Sequence, residues 1–260
     1  RFGMNALDEL PTWAGSRRVL FVTTPGFIKR GIMERVQSLS AQIVTVVDDI
    51  PANPTFSAMR TIYSEVWKND FDVIVALGGG SVMDGAKILA VHDATRQFNI
   101  VNDIIRGTRP KMGYELKPII AIPTTSGTGS ELTPWATVWD MDERKKYSLH
   151  LPDRWSEVCL CDPLLTMSLP REITIQTSLD ALSQALEAIW NKNANPVSTQ
   201  YAITAARIIM TTLPKLVRNL EDKELRRDQM WGSINTGLAF SNTQTAVAHA
   251  ISYYVTAHKG

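Results

Sequence analysis

Cysteine is scarce in this chain of 260 residues: only Cys159 and Cys161 occur, two apart in "EVCLCDP". That spacing suits one face of a strand and excludes a disulfide-stapled framework. The two read as reduced thiols near a core. An excess of one charge is missing too. With 27 basic and 26 acidic residues the formal net charge is +1, which excludes the electrostatic footprint of a nucleic-acid binder or a polybasic membrane patch. No apolar run reaches the length of a membrane span. The opening stretch, "RFGMNALDELPTWAG", lacks the long apolar segment of a signal peptide. Of the histidines, His92, His150 and His258 have no partner at metal-ligand spacing. There is no internal repeat and no low-complexity tract. These absences lead to the expectation of a cytoplasmic globular protein with no nucleic-acid or membrane partner, built as one large domain or two modest ones.

What is present in the first half is an alternation of short apolar runs and helical patterns. "RVLFVTT" (18–24), "QIVTVV" (42–47), "FDVIVAL" (71–77) and "PIIAI" (118–122) read as strands, with helices expected over 26–40, 55–69 and 81–93. Continuous β-branched runs between helices argue for parallel strands covered on both faces, the grammar of a doubly wound α/β sheet. After about residue 165 only helical patterns remain, with Pro196 near the start of one of them. The expected organisation is therefore an α/β dinucleotide-binding domain over 1–164 and an all-α domain over 165–260, joined near Asp162–Pro170.

Three stretches of the α/β half carry chemistry. In "ALGGGSVMDGAKILA" (76–90), Gly78, Gly79 and Gly80 follow a strand and open a helix. Glycines let the backbone approach a phosphate, and the helix start offers free N–H groups and a positive dipole end. The pattern is neither G-x-G-x-x-G nor a Walker loop, and a tight turn without a ligand is the plain alternative. In "AIPTTSGTGSELTPW" (121–135), small hydroxyl residues and glycines follow another strand and suit a pyrophosphate or ribose. In "VVDDIPANPT" (46–55), Asp48 closes the second strand, where an acid accepts hydrogen bonds from a ribose diol and repels a 2′-phosphate. That favours NAD over NADP. A turn or cap acid explains Asp48 equally well.

Taken together, these stretches resemble the iron-containing (group III) alcohol dehydrogenase family. The resemblance runs along the whole chain through "FGMNALDELP", "DDIPANPT", "GGGSVMDGAK", "IPTTSGTGSE", "CDPLLTMSLP", "DALSQALEAIW" and "GLAFSN" followed by "AHAISY". It implies a dehydroquinate-synthase-like architecture, with an N-terminal dinucleotide-binding α/β domain and a C-terminal helical domain. It also implies a divalent metal, iron or zinc, meeting a nicotinamide in the cleft, a small alcohol or aldehyde substrate, and a homodimer. Residue by residue, it places Asp48 at the cofactor ribose and Gly79, Gly80, Ser81 and Asp84 in the pyrophosphate loop. Thr124, Thr125 and Ser130 fall in the second cofactor loop, Lys146 near the nicotinamide ribose, and Leu165 in a cofactor-contacting segment. Asp180 and His249 match metal ligands. One branch of the family, resembling phosphonoacetaldehyde reductase, is the nearest in "LSQALEAIWNKNANP". A phosphonate substrate would need a basic residue to meet its charge, and the sequence singles none out.

The departures from the family pattern are local. Gln184 stands where most members have a histidine ligand, and Tyr253 where many have a second histidine assigned to proton relay. A fourth ligand is expected fourteen residues after His249, beyond Gly260, so the chain is expected to be an incomplete stretch of a longer protein. On a helix, Asp180 and Gln184 share one face. A Gln oxygen is a hard, neutral donor, so its presence should weaken Fe²⁺ or Zn²⁺ binding and shift preference to harder ions. An amide that only hydrogen-bonds Asp180, with no metal, is the alternative. Tyr253 shares a face with His249 and stands as the candidate proton carrier. Two other readings compete with a metal-assisted dehydrogenase: a dehydroquinate-synthase-type lyase, and an NAD-binding protein whose catalytic site has decayed.

Overall fold

The computed structural model describes residues 1–39, 42–108, 113–151 and 155–259. By its internal packing the chain divides into two compact units. One comprises Leu7–Ile122 with Pro134–Leu160; the other comprises Arg1–Ala6, Pro123–Thr133 and Cys161–Gly260.

In chain order the first unit holds α1 (Leu10–Ala14), β1 (Arg18–Val22), α2 (Pro25–Lys29), α3 (Ile32–Ser38), β2 (Gln42–Val47), α4 (Phe56–Val66), β3 (Val73–Gly78) and α5 (Gly80–Ala90). It continues with β4 (Val91–His92), α6 (Asn99–Arg106), β5 (Glu115–Leu116), β6 (Ile119–Pro123), β7 (Trp135–Asp140), β8 (Lys145–His150) and β9 (Val158–Cys159). The central sheet runs β2-β1-β3-β6-β9 and is parallel, as the alternation of apolar runs and helices implies. All six residues of β3 are buried, so both its faces are covered, whereas edge strand β2 alternates exposure. Each fully buried Val, Ile or Leu of β3 contributes roughly 1.5–3 kcal/mol of apolar transfer free energy.

Local signals set the helix ends. Thr55 caps α4, its hydroxyl accepting from the Ala58 N–H at 3.2 Å. The helix expected over 26–40 is two helices, because Gly31 adopts the left-handed conformation (φ 79°) between α2 and α3. The last residue of that stretch, Ser40, lies outside the described residues. The antiparallel hairpin β7–β8 is an element that the sequence pattern does not announce, because its strands mix charged and aromatic residues. Arg106 of α6 fastens it with ion pairs to Asp140 and Glu143.

The second unit is built from α7 (Arg171–Trp190), α8 (Pro196–Leu216), α9 (Lys223–Thr243) and α10 (Val247–Lys259). Asn195 caps α8 through Val197 and Ser198, with Pro196 at the first helical position. Asp222 caps α9 in the same manner. The loop Pro123–Thr133 packs in this unit. Gly129, itself left-handed (φ 59°), passes so close to Gly237 of α9 that an added Cβ would lie 3.0 Å from its Cα. Among the described residues no helix is long and apolar enough to cross a membrane. Cys159 and Cys161 are thiols outside any disulfide.

The helical unit also buries an arginine. Arg226 of α9 is 2% exposed and donates to the Leu220 carbonyl, the Thr174 hydroxyl and the Leu169 carbonyl at 2.9, 3.0 and 3.2 Å. Burial lowers its pKa from the ordinary arginine value, and these bonds compensate for its desolvation. Replacing it, Arg226→Leu, strands all three acceptors. Urea denaturation should show a loss of about 2–4 kcal/mol; a loss within ~0.5 kcal/mol would show that the strut is dispensable.

Candidate functional site

In the sheet unit, the chain leaves β1 for β2 on one side and returns to β3 on the other. The carboxyl ends of β1 and β3 therefore flank a topological switch point, where open α/β sheets bind ligands. Val22 at the end of β1 pairs with Val47 of β2 and Ala76 of β3. Asp48 and Gly79 thus follow strands that sit two strand spacings apart, about 10 Å, on the same end of the sheet. Gly79 is the N-cap of α5 in extended conformation, and no side chain caps that helix. Its first-turn N–H groups are left for an anion.

The other polar residues of this loop are engaged. The Ser81 hydroxyl donates to the Ala52 carbonyl. Asp84 accepts from the Thr137 N–H at 2.9 Å, and Lys87 donates to the Trp135 carbonyl at 2.7 Å, which ties α5 to β7. Lys146 lies on β8, half-buried and paired in register with Trp139. Sequence reasoning does not single out Thr23. It follows β1 at the switch point, is fully buried, and its hydroxyl has no hydrogen-bond partner among the described residues. The only signal is a threonine pair, Thr23–Thr24, closing a strand.

In the helical unit, the loop residues Thr124 and Ser130 are buried and Thr125 is half-buried. The Ser233 hydroxyl of α9 donates to the Gly127 carbonyl at 3.3 Å, and the Ser130 carbonyl accepts from Thr133 at 3.1 Å. Leu165 is buried in a 3₁₀ turn over Pro163–Thr166, which Asp162 caps through the Leu164 N–H.

Helix α7 presents Asp180, Gln184 and Glu187 on one face, three and four residues apart. Helix α10 brings His249 against them. His249 Nε2 lies 3.3 Å from Asp180 Oδ1. Gln184 Nε2 donates to Asp180 Oδ2 at 3.1 Å, and Gln184 Oε1 is buried with no hydrogen-bond partner among the described residues. Tyr253 packs edge-to-face on His249, ring centroids 6.5 Å apart, with its hydroxyl 3.3 Å from that of Thr245. Asp180, Gln184, His249 and Tyr253 are thus brought together. His92 stacks on Trp67 and His150 meets Trp135, both in the sheet unit. The side chain of His258 lies outside those described.

Sequence reasoning also misses Glu187, whose only signal is its place seven residues after Asp180 on the same helical face. It is 1% exposed. Its Oε1 accepts from the His249 N–H at 3.1 Å and lies 3.1 Å from His249 Nδ1; its Oε2 accepts from the Ala246 N–H. Burial alone would raise the Glu187 carboxyl, but the Ala246 N–H and the His249 imidazole hold it below the ordinary carboxylate value. Burial alone would lower His249, but the Asp180 and Glu187 carboxylates hold it above the ordinary histidine value.

The chemistry and spacing of these donors fit a divalent ion. Two ligand atoms each ~2.1 Å from one tetrahedral ion stand roughly 3.4 Å apart, and the Asp180–His249 separation is 3.3 Å. The unpartnered Gln184 oxygen is a third donor on the same helical face. Among the described residues no three His, Cys, Asp or Glu side chains group to hold a metal, so a third donor beside Asp180 and His249 would be the neutral Gln184 amide. The set is harder than one with two imidazoles.

Two family models match the chain: iron-containing alcohol dehydrogenase over residues 1–163, and the C-terminal part of the same family over residues 174–259. Long-chain-alcohol dehydrogenase 1 of Geobacillus thermodenitrificans is 37% identical over 262 residues, covering 96% of this chain and 64% of the relative. NAD-dependent methanol dehydrogenase of Bacillus methanolicus is 32% identical, covering 97% and 67%. The crystal structure of sulfoacetaldehyde reductase from Bifidobacterium kashiwanohense in complex with NAD+ superposes with a TM-score of 0.89 at 31% identity, covering 100% of this chain and 69% of that one. The chain thus spans about two thirds of the length of these relatives.

The opposed pKa shifts set a pH window for the ion-free protein. The raised His249 pKa contributes stability that is fully present below the unfolded histidine value, near 6.5, and is lost as pH rises through the folded value. The lowered Glu187 pKa contributes stability present above the unfolded value, near 4.5, and lost as pH falls through the folded one. Thermal melts of wild type against His249→Asn should therefore differ most between about pH 4.5 and 6.5, with the gap closing at higher pH. A gap that widens from pH 6 to 9 would contradict these environments.

Proposed function

Since the chain belongs to the iron-containing alcohol dehydrogenase family, we propose that it is an NAD-dependent, divalent-metal-assisted alcohol dehydrogenase or aldehyde reductase acting on a small primary alcohol–aldehyde pair. The observation that carries this reading is the Asp180–His249 pair, 3.3 Å apart beside an unpartnered Gln184 oxygen. An uncapped helix start at the sheet's switch point supports the nucleotide half.

The nicotinamide supplies the hydride and the ion supplies Lewis acidity toward the substrate oxygen when each is bound. The chain's own residues bind and orient. Asp48 accepts from the adenine-ribose diol, and the first turn of α5, over Gly80 and Ser81, meets the pyrophosphate. Thr124, Thr125, Ser130, Lys146 and Leu165 complete the cofactor contacts. Asp180, Gln184 and His249 hold the ion, and the Tyr253 hydroxyl carries the proton of the substrate oxygen. The substrate class we favour is a small anionic aldehyde such as phosphonoacetaldehyde. Likeness to a protein named for sulfoacetaldehyde supports it. The same reading makes the protein a cytoplasmic homodimer.

One observation favours a second reading, a metal-free NAD-binding protein. As placed, the Gln184 amide turns its nitrogen, not its oxygen, to Asp180. Turning an amide by 180° exchanges the two ends at little steric cost. An ion between Asp180 and Gln184 requires the oxygen inward; an ion-free site keeps the nitrogen there.

Elemental analysis of the purified protein, paired with NADH absorbance against a panel of aldehydes, separates these readings. We expect aldehyde-dependent NADH loss that a chelator abolishes and added Fe²⁺, Zn²⁺ or Mn²⁺ restores. NAD binding with neither metal nor turnover supports the second reading. Metal and NAD binding without net NADH change on any aldehyde or alcohol points to a lyase of the dehydroquinate-synthase type. Gln184→His should raise Fe²⁺ and Zn²⁺ affinity in titration calorimetry; no gain contradicts ligation by residue 184.

A further inference from the structure

Helix α10 is weakly anchored by apolar contacts. Val247, Ile251, Tyr254 and Val255 on it are all more than half exposed. What fixes its start is polar, and most of it comes from α7 and the residues just after that helix. Glu187 accepts both the Ala246 and the His249 N–H. Asn191 donates to the Gln244 carbonyl at 3.2 Å, and Asn193 donates to the Thr243 carbonyl at 3.3 Å. The turn so held is strained: Gln244 sits at φ 65°, ψ 176°, a region almost reserved for glycine. A non-glycine residue stays there only when its surroundings over-determine it.

Glu187 does a second thing with the same carboxylate. Its Oε1 stands 3.1 Å from His249 Nδ1, within ion-pair reach but outside hydrogen-bond geometry, and that buried nitrogen has no hydrogen-bond partner among the described residues. Both carboxylates favour a proton on the nitrogen they face, and the buried Glu187 favours it on Nδ1 more strongly than the partly exposed Asp180 does on Nε2, so an ion beside Asp180 finds Nε2 ready to bind it. One side chain thus meets both the helix start and the ring.

We propose that Glu187 is the positioning residue of the ion site: by capping α10 and facing His249 Nδ1, it holds the imidazole so that Nε2 meets Asp180. The proposal rests on reading Asp180, Gln184 and His249 as a divalent-ion site. A buried carboxylate with no role beyond capping would leave ion affinity and tautomer untouched once the helix is folded. A positioning residue sets both, and outer partners of metal-bound histidines are typically worth 10- to 100-fold in affinity.

The test uses the purified chain, Co²⁺ as the probe and the variants Glu187→Gln and His249→Ala. Glu187→Gln keeps the side-chain size and one acceptor oxygen but loses the charge and the second acceptor. Long-range ¹H–¹⁵N spectra of the ion-free protein, recorded at a pH where the His249 ring is neutral and with His249→Ala to assign the signal, read the tautomer. Titration calorimetry reads Co²⁺ affinity, and circular dichroism checks the fold. We expect wild type to hold His249 in the Nδ1–H form, and Glu187→Gln to lose that preference and bind Co²⁺ about 10- to 100-fold more weakly while still melting cooperatively. If Glu187→Gln matches wild type within about twofold and keeps the tautomer, Glu187 only caps the helix and the proposal is wrong. If Glu187→Gln fails to fold, the wild-type spectrum decides: an Nε2–H tautomer overturns the proposal. If wild type binds no Co²⁺, or His249→Ala binds it as well as wild type, the ion-site reading fails and the positioning role falls with it.

Discussion

A carboxylate buried to 1% exposure survives only when donors surround it, and in the helical unit those donors all belong to the start of α10. This interaction between Glu187 and the backbone of Ala246 and His249 orders the rest of the candidate ion site. It fixes where α10 begins, which turn of it faces α7, and hence that His249 and Asp180 lie 3.3 Å apart. Asp180, Gln184 and Glu187 reach the same helix because α7 spaces them four and three residues apart. A one-residue slip of α10 would turn His249 through about 100° and separate the pair.

The sheet unit obeys a different constraint. Parallel strands buried on both faces leave only their ends to bind anything, and the switch in strand order between β1 and β3 marks which end. Asp48 and Gly79 occupy that end because each directly follows a strand. The uncapped start of α5 is a local cost to helix stability that a bound anion would offset. Asp84 and Lys87, one turn further along, bind the backbone of β7 and hold α5 in place behind the loop.

Much of this was legible in the sequence, for physical reasons. Apolar runs such as "VIVAL" announce buried strands, and the shift to helical periodicity after residue 165 announces the bundle. Family membership followed from motifs spread along the whole chain. The hairpin β7–β8 was hidden because its side chains alternate without a clean apolar face, and the packing of the Pro123–Thr133 loop with the helices because short-range pattern says nothing of long-range contact. Glu187 was hidden for the same reason. A glutamate on a helix reads as solvent-facing until its partners, about sixty residues away, are known. Asp180 and Gln184 were visible because helical spacing alone puts them together; which end of the amide faces Asp180 is a matter of packing that no sequence records.

On the proposed reading Asp180, Gln184 and His249 share one divalent ion. Crystals grown with Mn²⁺ and NAD would reveal that ion by anomalous diffraction. One strong peak is expected within bonding distance of an Asp180 oxygen, His249 Nε2 and the Gln184 oxygen, with the amide turned from its ion-free orientation. An empty map at these residues, with Gln184 still donating its amide N–H to Asp180, would contradict it.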